Sequence, residues 1–444
     1  MVNNFREAGH EAIISSDYIS NADVVISLLG LNSLSTIDQA KHIQTLNFQL
    51  ARKIATEKIQ GYIVVEGIDG YLGLKNDNES KAYLGGCAGL LKTAAQEWKV
   101  EYLKLIDIDV TDVDEAISAS RLYNEITQGA DSLEVGIANN GLRFIPNLST
   151  NPIESIDKAR ISKDSVIIAS GGGRGVTASC ILALAREIPC TFILLGRTKP
   201  IVIDDIYKGI DDELMLKKKL IELALKEGQT ITPKEINQLL QKIIASKEIN
   251  NTLTQLRLLG ATAEYVICDI NSFDNVSSVC EQIRKKYGRI DGLLHGAGIL
   301  IDKLIKDKND EQFNMVFSTK VDGYNNLLKA THNDSLKLNV IFSSVAARFG
   351  NRGQVDYSMA NETLNKIAQY EQRQRGEECL VKAINWGPWQ GGMVNETLKK
   401  MFISRGVCPI PIEEGVKAFV NEIFDTRFDH VEVVIASKMG THYV

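Results

Sequence analysis

No stretch of the 444-residue chain is long and apolar enough for a membrane-spanning helix, and its N-terminus, MVNNFREAGHEAIISSDY, scatters charges where a signal peptide would have an apolar run. Secretion and membrane insertion are therefore not expected, and cytoplasmic residence is. Cysteine is scarce and unpatterned: the seven residues (87, 180, 190, 268, 280, 379 and 408) include no CxxC and no Cys/His ligand spacing. Most sit in apolar segments such as YVICDI and ASCILALA, so they are expected to be reduced core residues. The six histidines are dispersed, and no metal site is expected. A formal charge of −6 gives no basis for a nucleic-acid partner. What remains, with 44% hydrophobic and 24% charged residues, is an ordinary globular composition on a chain longer than one core usually serves.

Two α/β lobes are expected. In residues 1–150, strand-like runs at 22–30, 61–67 and 102–110 alternate with helical segments, QAKHIQTLNFQLARKIATEK and GGCAGLLKTAAQEWK, in which Gly85, Gly86 and Gly89 suit close packing or caps. No strand here ends in a glycine-rich turn, so this lobe is expected to be structural and cofactor-free. The string GADSL at 129–133 has the look of a phosphopantetheine attachment site. It is followed, however, by two strand-like runs around Asn139-Asn140-Gly141 rather than by a helix, which argues against a carrier domain.

A polar linker, 151–164, leads to the second lobe, 165–444. Seven strands separated by helices are expected there, at 165–170, 191–197, 263–270, 291–298, 338–344, 380–387 and 431–437, which describes a doubly wound parallel sheet. One crossover, 198–262, is too long for a single helix. Its Thr232-Pro233-Lys234-Glu235 is a capping-box helix start, and LMLKKKLIELALK and INQLLQKIIASK are amphipathic, so a helical insertion is expected, with a packing or docking role left open.

The first strand of this lobe runs into Ser170-Gly171-Gly172-Gly173-Arg174-Gly175-Val176-Thr177. Glycines let a backbone turn tightly against a pyrophosphate, whose charge suits the N-terminus of the next helix. Taken alone the turn is a weak signal, and a strand-to-helix connection without a ligand is the plain alternative. The second strand ends not in an acidic residue but in Arg197, which fits a 2′-phosphate and hence NADPH over NADH, with Arg174 as a second cation. An exposed, unliganded arginine is the plain alternative. Asp269 and Ile270 would then face the adenine, and Gly296, Ala297 and Gly298 the nicotinamide ribose.

Ketone reduction needs a proton donor beside the hydride donor, and hydrogen bonds to the developing alkoxide. Tyr357 can supply the proton if an ammonium, Lys320, stabilises its phenolate. Asn361 lies one helical turn beyond Tyr357, and Ser344 ends a strand aimed at the same crevice. Each residue alone has a commonplace structural reading; the four together in one sheet context point to catalysis.

The segments SGGGRGVT, LLGRT, HGAG, KVDGYNNLL, FSSVAARFGNRGQVDYSMANETLNK and NWGPWQGGMV resemble the ketoreductase domain of modular and iterative polyketide synthases, a branch of the short-chain dehydrogenase superfamily. In that branch the lysine precedes the serine and an asparagine follows the tyrosine, the order found here. GNRGQVDYSMANETLNK and the long insertion are most similar to synthases for polyunsaturated fatty acids and enediynes, and GGCAGLLKTAAQEW and LIDIDV resemble the family's cofactor-free structural subdomain.

The resemblance implies an NADPH-dependent reductase of β-ketoacyl thioesters held on an acyl carrier protein, working beside other synthase domains, with Lys320, Ser344, Tyr357 and Asn361 catalytic. It also implies substrate or stereocontrol roles for Asp302, Phe349, Gln354, Trp389 and Met393. Departures are Ser170 for threonine, Thr177 for the third glycine, and Ala347 where glycine is frequent. Leu300-Ile301-Asp302 keeps the last residue of the Leu-Asp-Asp signature of D-alcohol formation, and Phe349 replaces the tryptophan of the opposite class, so a D (3R) product is expected. Trp386-Gly387-Pro388-Trp389 and ETLKKMFISRG form either a substrate lid or core. With no synthase, acyltransferase or carrier motif in the chain, a domain excised from a larger synthase is expected; a catalytically silent structural domain and a free-standing dehydrogenase for a small alcohol are the alternatives.

Overall fold

A computed structural model describes residues 1–18, 20–226, 232–390 and 408–437. Its first sheet holds β1 (Val24–Gly30), β2 (Gly61–Glu66), β3 (Tyr102–Ile108), β4 (Glu134–Ile137) and β5 (Arg143–Phe144), in that order. The first four are parallel, and β5 returns antiparallel through a turn that uses Gly141 at φ +85°. GADSL thus leads into β4, as the Asn-Asn-Gly pattern implies, and opens no helix.

The second sheet is entirely parallel, in the order β12-β11-β10-β9-β6-β7-β8. Its strands are β6 (Val166–Ser170), β7 (Thr191–Gly196), β8 (Thr262–Ile267), β9 (Gly292–His295), β10 (Leu338–Ser344), β11 (Leu380–Trp386) and β12 (Glu432–Ile435). All seven expected strands are present. Because helices cover both faces, the inner strands are mostly apolar, and β6 and β11 are buried throughout, Lys382 and Asn385 of β11 included. The order reverses between β6 and β9, which opens a crevice at the carboxyl ends of the strands, where such sheets bind ligands.

The expected helical crossover divides its work. The helix Pro233–Leu258 begins with the Thr232–Glu235 capping box. Its first half joins the helix Glu213–Lys226 in a small core of Leu216, Leu220, Ile236, Leu240 and Ile243. Its second half buries Ile249 and Leu256 near β6 to β8, as an ordinary crossover helix does.

One apolar cluster runs through both lobes. Phe48 stacks on Phe313 at 4.3 Å between ring centroids, and Phe48→Ala would cost ~3–5 kcal/mol by the usual cavity penalty. Gly89 of the helix Cys87–Glu97 lies so close to the helix Val355–Arg375 that a Cβ would come within 2.5 Å of the Ser358 carbonyl carbon. The close-packing role read for the glycines of this segment is thus an inter-lobe one. The linker threads along the second lobe: Asp157 N donates to Phe424 O at 2.7 Å, and Arg160 donates to Ile423 O and Asp425 O. Six of the seven cysteines are buried, and Cys408 is exposed. Among the described residues no helix is long and apolar enough to cross a membrane.

Candidate active site

The glycine turn leaves β6 with Gly171 at φ +69°, a conformation L side chains avoid, and with the Ala297 amide 2.8 Å from where a Cβ would lie. Arg174 caps the helix Gly175–Glu187, and a Cβ on Gly175 would meet nothing within 4 Å. This end of the helix is thus open, with backbone and cation at its rim. A cavity of about 230 Å³ lies beside it, lined by Arg174, Gly175, Val176 and Ser179 on one side and by Glu248, Asn251 and Thr252 of the crossover helix on another.

The other cofactor candidates fall into two groups. Arg197 is exposed just past β7 and forms no ion pair among the described residues. Asp269 is exposed beyond β8, whereas Ile270 is buried and fixed by Asn326 Nδ2, which donates to its carbonyl at 2.9 Å. Gly296 and Gly298 have reasons internal to the protein. Thr177, in the place of the third glycine, packs against Gly296, and a Cβ on Gly298 would lie 2.8 Å from Lys320 Cε.

Beneath the turn lies a link that sequence reasoning missed. His295, fully buried at the end of β9, pairs Nδ1 with Ser170 Oγ at 2.8 Å and Nε2 with Lys320 O at 3.0 Å. Burial, reinforced by the Lys320 charge, pulls its imidazolium down to about 3, so the ring is neutral and ties β6 to the helix Asp310–Ala330. The HGAG motif drew attention to its small residues and not to the histidine, whose partners come from two other elements.

The four catalytic candidates do converge. Ser344 ends β10, and its Oγ accepts from Ala346 N at 3.1 Å, capping the short helix Val345–Phe349. Tyr357 and Asn361 share one face of their helix, with Asn361 Nδ2 donating to Tyr357 O at 2.9 Å. Asn361 Oδ1 is buried and accepts no hydrogen bond among the described residues. Lys320 is buried, donates to Phe342 O at 2.7 Å, and holds its Nζ 5.4 Å from the centre of the Tyr357 ring. Burial without a carboxylate partner lowers its ammonium to about 7. Burial raises the Tyr357 hydroxyl; neighbouring Asn361 and Ser344 act against that rise, and the Asp302 charge adds to it.

Of the substrate candidates, Asp302 and Gln354 meet: Gln354 Nε2 donates to both carboxylate oxygens, at 3.1 and 3.2 Å. Phe349 stands at the lobe interface, where Gln96 Nε2 donates to its carbonyl at 2.8 Å. Trp389 is buried, edge-on to Trp386 at 4.8 Å and packed on Gly415, and it also lines the Arg174 cavity. Met393 and the segment ETLKKMFISRG lie outside the described residues.

The helix carrying Tyr357 is also anchored by buried charge that the sequence did not announce. Arg348 meets Glu134 at 3.1 Å, Glu362 at 2.9 Å and Glu432 at 3.3 Å, while Lys92 meets Glu134 at 2.7 Å and Lys366 meets Glu362 at 3.0 Å. Three cations and three carboxylates, drawn from both lobes, are thus balanced out of water.

A doubly wound sheet with a tyrosine, a serine and a lysine at its carboxyl edge defines a Rossmann-type reductase of the short-chain dehydrogenase kind. Comparison with known proteins narrows this: the family model for the KR domain matches residues 165–391, over half of the chain. The chain therefore belongs to the ketoreductase, or KR, domain family of type I polyketide synthases, oxidoreductases that reduce β-keto groups with NAD(P)H. It is 36% identical over 369 residues to one of the subunits of the polyunsaturated fatty acid synthase of Thraustochytrium sp., a match covering 80% of this chain and 13% of that protein. It is 26% identical over 373 residues to polyketide synthase PksN of Bacillus subtilis, covering 82% of this chain and 6% of PksN. The chain thus spans a small part of these multidomain relatives. Among solved structures, a ketoreductase domain from the bacillaene assembly line superposes with a TM-score of 0.68 at 20% identity, covering 97% of this chain and 96% of that one. A-type ketoreductases from a modular polyketide synthase give 0.70 at 18% identity, covering 94% and 78%. At these identities the likeness establishes the fold, across both lobes.

Proposed function

We propose that the protein reduces a β-ketoacyl thioester, presented on the phosphopantetheine arm of an acyl carrier protein, to the D (3R) β-hydroxyacyl thioester with NADPH, as one domain of a polyketide or polyunsaturated fatty acid synthase. The observation that carries this reading is the convergence of Tyr357, Ser344, Asn361 and Lys320 at the carboxyl end of β10. The relatives' names, a polyketide synthase and a polyunsaturated fatty acid synthase, support the substrate class.

The residues present fit the dinucleotide. The open, glycine-lined helix start at Gly175 with Arg174 at its rim suits a pyrophosphate, and Arg197 past β7, without an ion pair among the described residues, suits a 2′-phosphate. When bound, the nicotinamide supplies the hydride. The protein's part is the proton and the oxyanion. Tyr357, held protonated by burial, donates its hydroxyl proton to the carbonyl oxygen, while Ser344 donates a hydrogen bond to the same oxygen. Lys320, beneath the ring, stabilises the phenolate left behind. Asn361 offers a buried amide oxygen with no donor among the described residues, a place for a water that returns the proton to Tyr357. Asp302 and Gln354, joined over the Tyr357 helix, orient the acyl chain.

The test is incubation with NADPH and a β-ketoacyl N-acetylcysteamine thioester, following NADPH loss and resolving the product on a chiral column. NADPH-dependent formation of the D alcohol is expected. No consumption of NADPH with the thioester, or turnover confined to small free ketones, would overturn the proposal, and an L product would overturn its stereochemical part.

A further inference from the structure

The cofactor-free lobe touches the substrate side of the site through two consecutive residues, Gln96 and Glu97, at the C-terminal end of the helix Cys87–Glu97. One carboxylate bridges two loops of the other lobe: Glu97 Oε2 accepts from Ile305 N and Oε1 from Gly353 N, both at 2.8 Å. Gln96 holds the second loop at three more points, with Nε2 donating to Phe349 O at 2.8 Å and Gly350 O at 3.1 Å and Oε1 accepting from Arg352 N at 3.1 Å. Gly350, at φ +69°, presses against the Lys92 backbone with no room for a Cβ.

These loops carry Asp302 and Gln354. They meet through Lys303 N, which donates to Gly353 O at 2.8 Å, and through the Gln354–Asp302 hydrogen bonds. The buried Lys308 fastens the assembly to the start of the Tyr357 helix, donating to Ile301 O at 2.6 Å and pairing with Asp356. The loops therefore have two anchors, one in each lobe. Lys308 fixes the first loop to the proton donor, and Glu97 fixes the gap between the two loops.

We propose that Gln96 and Glu97 are positioning residues for stereocontrol: by fixing the spacing of Asp302 and Gln354 relative to Tyr357, they set which face of the carbonyl meets the hydride. This rests on the reductase reading above. It also gives the first lobe a role in catalysis, exerted through the loops and without contact with cofactor.

Glu97→Gln tests it, because the amide keeps the size of the side chain but turns one accepting oxygen into a donor facing a backbone N–H. Expected are a fall in kcat/KM for the thioester of about 10- to 100-fold, the scale of a small misplacement near the reacting atoms, and a rise in the minor enantiomer, with NADPH affinity unchanged. Lys41→Ala is the control. It removes another inter-lobe ion pair, Lys41–Asp322 at 2.7 Å, whose partner Asp322 lies on the helix Asp310–Ala330 and not on these loops, and should leave the product ratio unaltered. An unaltered product ratio and KM in Glu97→Gln, whatever its melting temperature, would overturn the inference. Should the wild type itself fail to reduce the thioester, the proposed function falls, and amide hydrogen exchange decides separately here. Faster exchange at 301–305 and 349–353 in Glu97→Gln supports positioning, and unchanged exchange refutes it.

Discussion

The two sheets share a parallel βα plan but spend their carboxyl edges differently. In the first, Asp107 at the end of β3 is buried and accepts from the amides of Ile68, Asp69 and Leu72, and Asp69 accepts from those of Tyr71, Gly73 and Lys75. The loop 68–75 is thereby drawn over the strand ends, with Gly70 against the Ile137 carbonyl. Backbone N–H groups that could face an anion are consumed by the protein's own carboxylates. In the second sheet the same edge is left to Gly171, Gly175, Arg174 and Arg197, with Lys320 and Tyr357 further along. One edge is satisfied from within; the other presents glycine backbone and cations, which the proposed function assigns to the dinucleotide.

Removing the chemistry of the open edge should have the largest effect. Tyr357→Phe is expected to lower thioester reduction by about 100- to 10 000-fold while leaving NADPH binding intact, measured by turnover beside a fluorescence titration. Retained turnover would refute the proton-donor assignment. Next comes the seam between the sheets: Arg348→Met leaves Glu134, Glu362 and Glu432 without their shared cation and should destabilise the protein by ~3–5 kcal/mol in urea. A loss confined to one lobe would show that the lobes fold as separate units.

Asp107→Asn puts an amide where two oxygens accept backbone N–H groups, and should cost ~1–3 kcal/mol without altering NADPH affinity, since no cofactor contact is lost. Altered cofactor affinity would erase the contrast drawn between the edges. With Lys320 at about 7, the ammonium that stabilises the Tyr357 phenolate is present below that pH and lost above it. The kcat/KM for reduction should thus decline as pH rises through about 7, and a flat profile across that range would separate Lys320 from the proton step. The smallest effect is expected at the insertion, where Glu248 sits 3.6 Å from Arg174 with both side chains about half exposed. Glu248→Gln should tighten NADPH binding roughly 1.5- to 5-fold, the range exposed ion pairs are worth. Weaker binding would mean that Arg174 needs its carboxylate partner for orientation.

Much of the open edge was legible because its signals are local. A glycine turn after an apolar strand, an arginine ending the next strand, and a tyrosine four residues before an asparagine each lie within a few residues of chain. The seven strands of the second lobe were equally plain, being apolar runs bounded by helical periods. His295 was legible only as part of a turn, because Ser170 and Lys320, its partners, are far from it in sequence. Trp389 had a lid and a core reading, and its burial against Trp386 and Gly415 became visible only in the fold. Arg348, Glu134 and Glu432 lie far apart in the chain and form no motif. Only the fold brings them together out of water.

The sequence by itself determined the doubly wound sheet and pointed to the four residues proposed for proton transfer, since these rest on periodicity and on residue types at the ends of strands and on helix faces. The tertiary structure alone decided what the first lobe does for the second: Gln96 and Glu97 on the substrate loops, Lys92 and Glu134 in the buried charge cluster, and Gly89 against the Tyr357 helix. The contacts of Glu97 span more than 200 residues, and hydrogen bonds between such distant segments leave no periodic trace in either of them.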